Sequence, residues 1–352
     1  MTHVRMSVRI GAVVAVLAGT LVTLSTGSAP VSADTAAFAP LDRPGPALSV
    51  PSAELAAALH CEGDLAAGAL EPVLLNPATG VTPEENYSWN YERAFIAQYR
   101  PWCAVTVPFH TSGDIQTAGE YLVYAIRVMY AAAHRRIGIV GHSQGAMSMR
   151  WALRFWPDTR AMVDDVVGFA GTNHGTATLG LCISGLTKCP PASWQQGDDA
   201  KFIQALNSGT ETFAGISYTE IYSNTDEVVT PHVTSTLTTG DGAITNVSTQ
   251  SICKLDLYEH LTIGTVDPVA YALAMDALDH PGPAVPSRIS RTVCLRLYQP
   301  GVDPLNVNNY LQILSALPGL LTVDVPNLGL YGIPEVSAEP PLRCYVFASG
   351  CQ

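Results

Sequence analysis

Residues 141–145 read Gly-His-Ser-Gln-Gly, a serine set between two glycines. A serine hydroxyl is a weak nucleophile until a base takes its proton, and that base needs an acid to orient it. The pentapeptide alone is common, so its meaning rests on its flanks and partners. Upstream, "RIGIVG" is a run of small and β-branched residues, and downstream "GAMSMRWALRFW" has helical spacing. A serine on a tight strand-to-helix turn has a strained backbone, and its hydroxyl stands near the free N–H groups of the helix start. Glycines at 141 and 145 would let the chains cross there without a Cβ clash. Ser143 is the expected nucleophile, against the plainer reading of a serine in a glycine-rich loop.

On such a turn the partners follow along the chain as acid, then histidine. His232, His260 and His280 lie downstream of a suitable acid. Asp226, in "YTEIYSNTDEVVTPH", sits in a loop just past a strand-like run, with Glu227 as its neighbouring competitor. His232 is too near Asp226 in sequence to arrive from a separate loop. His280 precedes a proline at a helix end, where charge capping accounts for it. His260, between Cys253 and Cys294, is the remaining base. For a developing oxyanion, donors are expected from Gln144, whose N–H follows the nucleophile, and from Thr79 in "LLNPATGV", by backbone N–H and hydroxyl.

Elements must hold these groups. "PVLLNP", "CAVTVPF", "RIGIVG", "MVDDVVGFAG" and "YTEIYS" read as strands. "NYERAFIAQY", "TAGEYLVYAIRVMYAAA", "GAMSMRWALRFW", "DDAKFIQALNSG" and "PVAYALAMDALDH" read as helices between and after them. The alternation predicts an α/β fold with a mostly parallel central sheet and helices on both faces. Residues 34–57 read as an extended lead-in. Past about residue 282 the pattern breaks down; a further helix is expected near "NNYLQILSALPGLLTV", then a C-terminal flap (282–352) rather than a second domain.

The first 33 residues have the form of a secretory signal: Arg5 and Arg9, an apolar run from Ile10 to Leu24, and Val31-Ser32-Ala33 as cleavage site. The rival reading is an uncleaved anchor. Removing them takes away two arginines and no acid, so the net charge falls from −12 to −14. That balance argues against nucleic acid as a partner, and against binding to anionic membranes by charge alone. Eight cysteines in an exported chain read as four disulfides. Spacing favours local Cys182–Cys189 and Cys344–Cys351, with Cys61–Cys103 and Cys253–Cys294 long-range. There is no C-x-x-C and no histidine cluster, so no metal site is expected.

"PVLLNPATG", "SQG", "SWQQ" at 193–196 and "IYSNTDEVVTP" together resemble the Candida antarctica lipase B-like family of secreted serine lipases, from about Leu48 to the C-terminus. The resemblance implies an α/β-hydrolase fold, a triad of Ser143, Asp226 and His260, and an oxyanion hole from Thr79 and Gln144. It implies hydrolysis of carboxylic esters, triacylglycerols included, through an acyl-enzyme, with no cofactor. Gln196 matches a glutamine on the acyl side of the pocket. Cys61, Cys103, Cys253 and Cys294 fall where the family has two disulfides. His142 stands where the family has a tryptophan: it would either floor a roomier alcohol pocket or simply pack under the turn. Thr172 stands where the family has an aspartate, and Cys182–Cys189 adds a bond to a short lid-like segment (173–195). "LGLCISGL" there suits an acyl chain or lipid, or is an ordinary stapled loop. The expected protein is an exported single-domain (34–352) lipase or esterase acting on apolar esters, a monomer without a stable membrane anchor. Alternatives with the same triad are a cell-envelope acyltransferase, a polyester hydrolase or a peptidase. A silent binding protein is the alternative of another class.

Overall fold

Seven strands form one sheet in the order β1-β3-β2-β4-β5-β6-β7. They are β1 (Leu59–Glu62), β2 (Val73–Asn76), β3 (Trp102–Val105), β4 (Ile137–His142), β5 (Val163–Phe169), β6 (Ser217–Tyr222) and β7 (Ala243–Ser248). Every pairing is parallel except β1 with β3. The computed structural model describes residues 37–67, 69–179, 182–305 and 332–351, which belong to a unit running from Ala36 to Gln352. The expected signal segment and the helix expected near residues 308–323 lie outside the described residues, as do Gly180 and Leu181.

Among the described residues the helices are α1 (Ser52–Ala57), α2 (Pro83–Tyr87), α3 (Tyr91–Ala97), α4 (Ile115–Ala133), α5 (Gln144–Phe155), α6 (Pro191–Gln195), α7 (Lys201–Leu206), α8 (Thr249–Ile252), α9 (His260–Ile263) and α10 (Pro268–Asp279). Strands β2, β3 and β4 are buried at every position, as a sheet covered on both faces requires. Their side chains alternate between two cores. Leu74, Ile137 and Ile139 meet α4 and α5 on one face; Val73, Leu75 and Val140 meet α3 and α10 on the other. Asp114 caps α4 through the N–H of Gln116, and Asp267 caps α10 through that of Val269. The alternation read from the sequence thus appears as built, with two edge strands added. β1 and β7 are largely solvent-facing and polar, so no apolar run announces them. The lead-in is extended until α1 closes it, where Leu55 turns into the core.

Four disulfides are present: Cys61–Cys103, Cys182–Cys189, Cys253–Cys294 and Cys344–Cys351. The first joins directly paired positions of β1 and β3. The C-terminal flap packs on the body. Tyr345 packs edge-on or tilted against Trp151, Phe155 and Trp156 and accepts the Trp151 indole N–H at 3.0 Å. Phe38 and Phe347 form an antiparallel bridge, with Ala39 N–H donating to the Val346 carbonyl at 2.8 Å. Val336 pairs with Cys189, which ties the described part of the flap to the lid-like segment.

Candidate active site

Strand β4 ends at His142, helix α5 begins at Gln144, and Ser143 makes the turn between them with φ 56° and ψ −120°. A non-glycine residue at positive φ is strained, and here the surroundings hold it there. Its N–H donates to the Phe169 carbonyl at 2.7 Å, and its carbonyl accepts from Ala146 at 3.0 Å. The flanking glycines are steric necessities. A Cβ on Gly141 would lie 2.5 Å from the Ala146 nitrogen, and one on Gly145 would lie 2.2 Å from the Asn76 carbonyl oxygen.

Two loops from the same edge of the sheet reach this turn. After β6, Asp226 folds back so that Oδ1 accepts the N–H groups of Val228 and Val229, at 2.8 and 2.7 Å. After β7 and α8, His260 opens the four-residue α9, whose start is capped by Glu259 accepting from Leu261 and Thr262. The His260 Nδ1 lies 2.8 Å from Asp226 Oδ2, and its Nε2 lies 2.9 Å from Ser143 Oγ. All three side chains are buried. Burial pulls the imidazole pKa down, but the Asp226 carboxylate, by charge and hydrogen bond, reverses this and holds it above 6.5. Burial pushes Asp226 up; the facing imidazole and the two backbone N–H groups outweigh it and keep the carboxyl below its ordinary range.

Glu227 makes no such contact with His260. His232 hydrogen-bonds the Val229 carbonyl at 3.3 Å, and His280 pairs with Asp276 at 3.5 Å, at the far end of α10. The structure brings together Asp226 and His260, not their rivals.

Thr79 and Gln144 also meet. The Thr79 hydroxyl donates to Gln144 Oε1 at 2.8 Å. The Gln196 amide then donates to Thr79 Oγ1 at 3.0 Å and to Gln144 Oε1 at 3.2 Å, and its Oε1 accepts from the Thr172 hydroxyl at 2.9 Å. Gln196 and Thr172 are buried members of one polar network behind the turn. As the first residue of α5, Gln144 has a backbone N–H with no carbonyl four residues earlier to accept it.

His142 lies beneath His260. Its ring centroid is 5.5 Å from that of His260, its Nε2 is 2.8 Å from the His260 carbonyl, and its Nδ1 is 3.2 Å from Asn86 Oδ1. A Cβ on Gly264 would collide with this imidazole at 2.5 Å. Burial, then the neighbouring His260, lowers the His142 pKa to about 3, so the ring is neutral. Of its 2 % exposed surface, little is left to meet an alcohol.

Three supporting residues escape a sequence reading. Asn76 donates to the Gly145 carbonyl at 2.7 Å, and Asn86 accepts the Ala78 N–H at 3.0 Å, so both brace the Thr79 loop. Glu259 caps α9. Its signal is in "EHLT", a capping pair with acid and threonine in exchanged places. Among the described residues, Glu71, Asp164 and Asp165 alone group closely enough to share a metal ion. They lie at the amino ends of β2 and β5, the edge away from Ser143. Burial and mutual repulsion push Glu71 up to about 9 and Asp165 up to about 8, so bound protons account for that pair at neutral pH.

The chain is similar to known proteins over most of this architecture. The profile of the family described as Lipase (class 2) matches residues 121–267. Lipase B of Pseudozyma antarctica is 31% identical over 237 residues, 65% of this chain and 69% of that protein. The crystal structure of Aspergillus fumigatus lipase B superposes with a TM-score of 0.74 at 30% identity, over 86% of this chain and 74% of the other. The stretch of the family match contains Ser143, Asp226 and His260, and the matched structure shares the mostly parallel sheet with helices on both faces. The chain belongs to the class 2 lipase family as a lipase B-like carboxylic-ester hydrolase of the α/β-hydrolase fold.

Proposed function

We propose that this protein is an exported lipase or esterase that cleaves apolar carboxylic esters, triacylglycerols among them, with Ser143 as nucleophile, His260 as base and Asp226 as the orienting acid. The observation that carries this is the unbroken run of hydrogen bonds from the Asp226 carboxylate through His260 to the Ser143 hydroxyl. With Nδ1–H given to Asp226, Nε2 carries a lone pair toward Ser143. As Oγ bonds to the ester carbonyl carbon, Nε2 takes the hydroxyl proton. The tetrahedral intermediate collapses by breaking the bond to the alcohol oxygen, which receives that proton from His260. Water then repeats the sequence on the acyl-serine and releases the acid.

The Gln144 N–H and the Thr79 N–H receive the oxyanion charge, joined by the Thr79 hydroxyl once its hydrogen turns from Gln144 Oε1 toward the substrate, while Gln196 and Thr172 hold Thr79 in place behind them. His142 seats the base by bonding its carbonyl. Four disulfides suit an oxidising compartment, and residues 1–33 serve as the leader of a catalytic domain spanning 34–352. The direct test is hydrolysis of p-nitrophenyl esters from acetate to palmitate; no turnover anywhere in the series overturns the proposal.

Two further outcomes follow from the site. The base must be neutral to accept a proton, and Asp226 holds its pKa above 6.5. The acid limb of kcat/KM against pH therefore lies above the ordinary imidazole value, with activity lost as pH falls through it. A limb at or below 6.5 in the wild-type profile contradicts this electrostatic account. Thr79→Val keeps shape and backbone N–H but removes a hydroxyl. Steady-state kinetics on p-nitrophenyl butyrate should show kcat lower by about 10²-fold with little change in KM, as for loss of one oxyanion donor. An unchanged kcat would leave the backbone N–H groups as the sole donors.

A further inference from the structure

Four of the most exposed leucines on the described surface lie on two neighbouring segments: Leu255 (91 %), Leu257 (74 %), Leu295 (86 %) and Leu297 (72 %). Single exposed leucines are ordinary, but a contiguous set is not. These form two pairs, each with one residue between its members, on segments joined by the Cys253–Cys294 disulfide. Between the segments lies a cavity of about 510 Å³. Leu255, Leu257 and Leu297 line it together with Lys254, Arg291 and Arg296.

The charge here opposes that of the molecule. The chain has a net charge of −12 and only three lysines, yet this cavity is lined by three cations and one acid. That acid, Asp256, turns Oδ1 inward to the Tyr258 N–H at 3.1 Å. Among the described residues, none of Lys254, Arg291 and Arg296 forms an ion pair.

The position matters as much as the composition. The 253–258 wall follows β7 and α8 and runs straight into His260. It is pinned to the loop that carries Asp226, because the Tyr258 carbonyl accepts from Ser223 Oγ at 2.6 Å and from Thr225 Oγ1 at 3.0 Å. The groove therefore stands on the sheet edge that holds Ser143.

We propose that this leucine-rimmed groove docks the protein on a lipid surface carrying anionic headgroups, bringing the reactive edge of the sheet to its ester. The inference rests on the lipid-ester reading above. A lipid interface offers an acyl boundary for apolar side chains and, just outside it, a phosphate layer for cations whose stems lie along apolar surface. Four leucine tips flanked by three cations present those two chemistries side by side. The nearby acids are engaged inward, Asp267 capping α10 beside Asp256 and Asp276 pairing with Arg288, and charges beyond roughly 8 Å are screened at physiological salt, so the local patch decides the encounter.

The test measures co-sedimentation of the full chain with ether-linked vesicles, which contain no ester to cleave. One set is phosphatidylcholine alone and the other contains roughly one-quarter phosphatidylglycerol. Wild type should bind the anionic vesicles. Leu255→Ser/Leu257→Ser should lower that partition by at least about tenfold, since each leucine withdraws apolar area from water only when docked. Lys254→Gln/Arg296→Gln should lower it by roughly 25-fold on anionic vesicles, and hardly at all on neutral ones. Both variants alter exposed side chains, so hydrolysis of p-nitrophenyl acetate should match wild type. Equal vesicle binding by wild type and the leucine variant overturns the docking surface. So does concentration-dependent dimerisation that the leucine variant abolishes, because the groove would then join two copies. If wild type binds vesicles but cleaves no soluble ester, the catalytic proposal falls and the surface stands.

Discussion

Ser143→Ala lowers kcat/KM for a soluble ester by about 10⁶-fold, the loss expected when the nucleophile of a triad is removed. The protein should stay folded, because what holds the turn is backbone. The Ser143 N–H and carbonyl bond Phe169 and Ala146, and neither contact involves the hydroxyl. Alanine meets the same positive φ with the same Cβ, so the strain of the turn is unchanged. The check pairs kinetics with circular dichroism and thermal unfolding, and adds a fluorophosphonate probe that should label Ser143 and no other serine. Residual activity within tenfold of wild type, or labelling elsewhere, would move the active site.

Asp226→Asn should cost about 10⁴-fold in kcat, with KM much less affected. The reason is which proton goes where. Asp226 Oδ1 accepts two backbone N–H groups, from Val228 and Val229, so an asparagine must keep its oxygen on that side. Its NH₂ then faces His260 Nδ1 and donates to it. The imidazole is driven to the tautomer protonated on Nε2, which aims a hydrogen at Ser143 instead of a lone pair. Glu227→Gln, next in sequence but without a bond to His260, should keep most of the activity. If the two variants behave alike, the hydrogen-bond geometry at Asp226 is not what orients the base.

The strands that were legible in the sequence are those buried on both faces, since only they are continuous apolar runs. β1 and β7 were not, because an edge strand can be polar along its length and still pair. A cystine with Cys103 was the one hint that residues 59–62 join the sheet. Ser143 and His260 were reachable by order and elimination. The choice of Asp226 over Glu227 was a matter of geometry. A side chain with one methylene can fold back to cap Val228 and Val229 and still reach the imidazole, which spacing along the chain does not express. Thr79 and Gln144 came forward from their places after an early strand and after the nucleophile, and the resemblance added Gln196 and Thr172, but neither expressed their joining into a single network. Asn76 and Asn86 had no signal, since a buried asparagine looks like any loop asparagine until its partners are known.

The bridge between Phe38 and Phe347 bears on how the chain reaches this state. Arg43 is held by carbonyls 304 and 305 residues later, and Tyr345 covers the aromatic face of α5, the helix that Ser143 heads. Phe202 can stack on Trp151 once α7 is made, but the side of Trp151, Phe155 and Trp156 that Tyr345 covers stays open until nearly every residue has been made. Its lead-in likewise finds no strand partner until then. Contacts between such distant segments carry the full entropy of closing the loop and form late. The nucleophile helix is thus among the last parts to be sealed, and an incomplete chain exposes a sticky aromatic face rather than a working enzyme. Such a chain gains nothing by folding as it is synthesised, and one that crosses a membrane unfolded loses nothing by waiting.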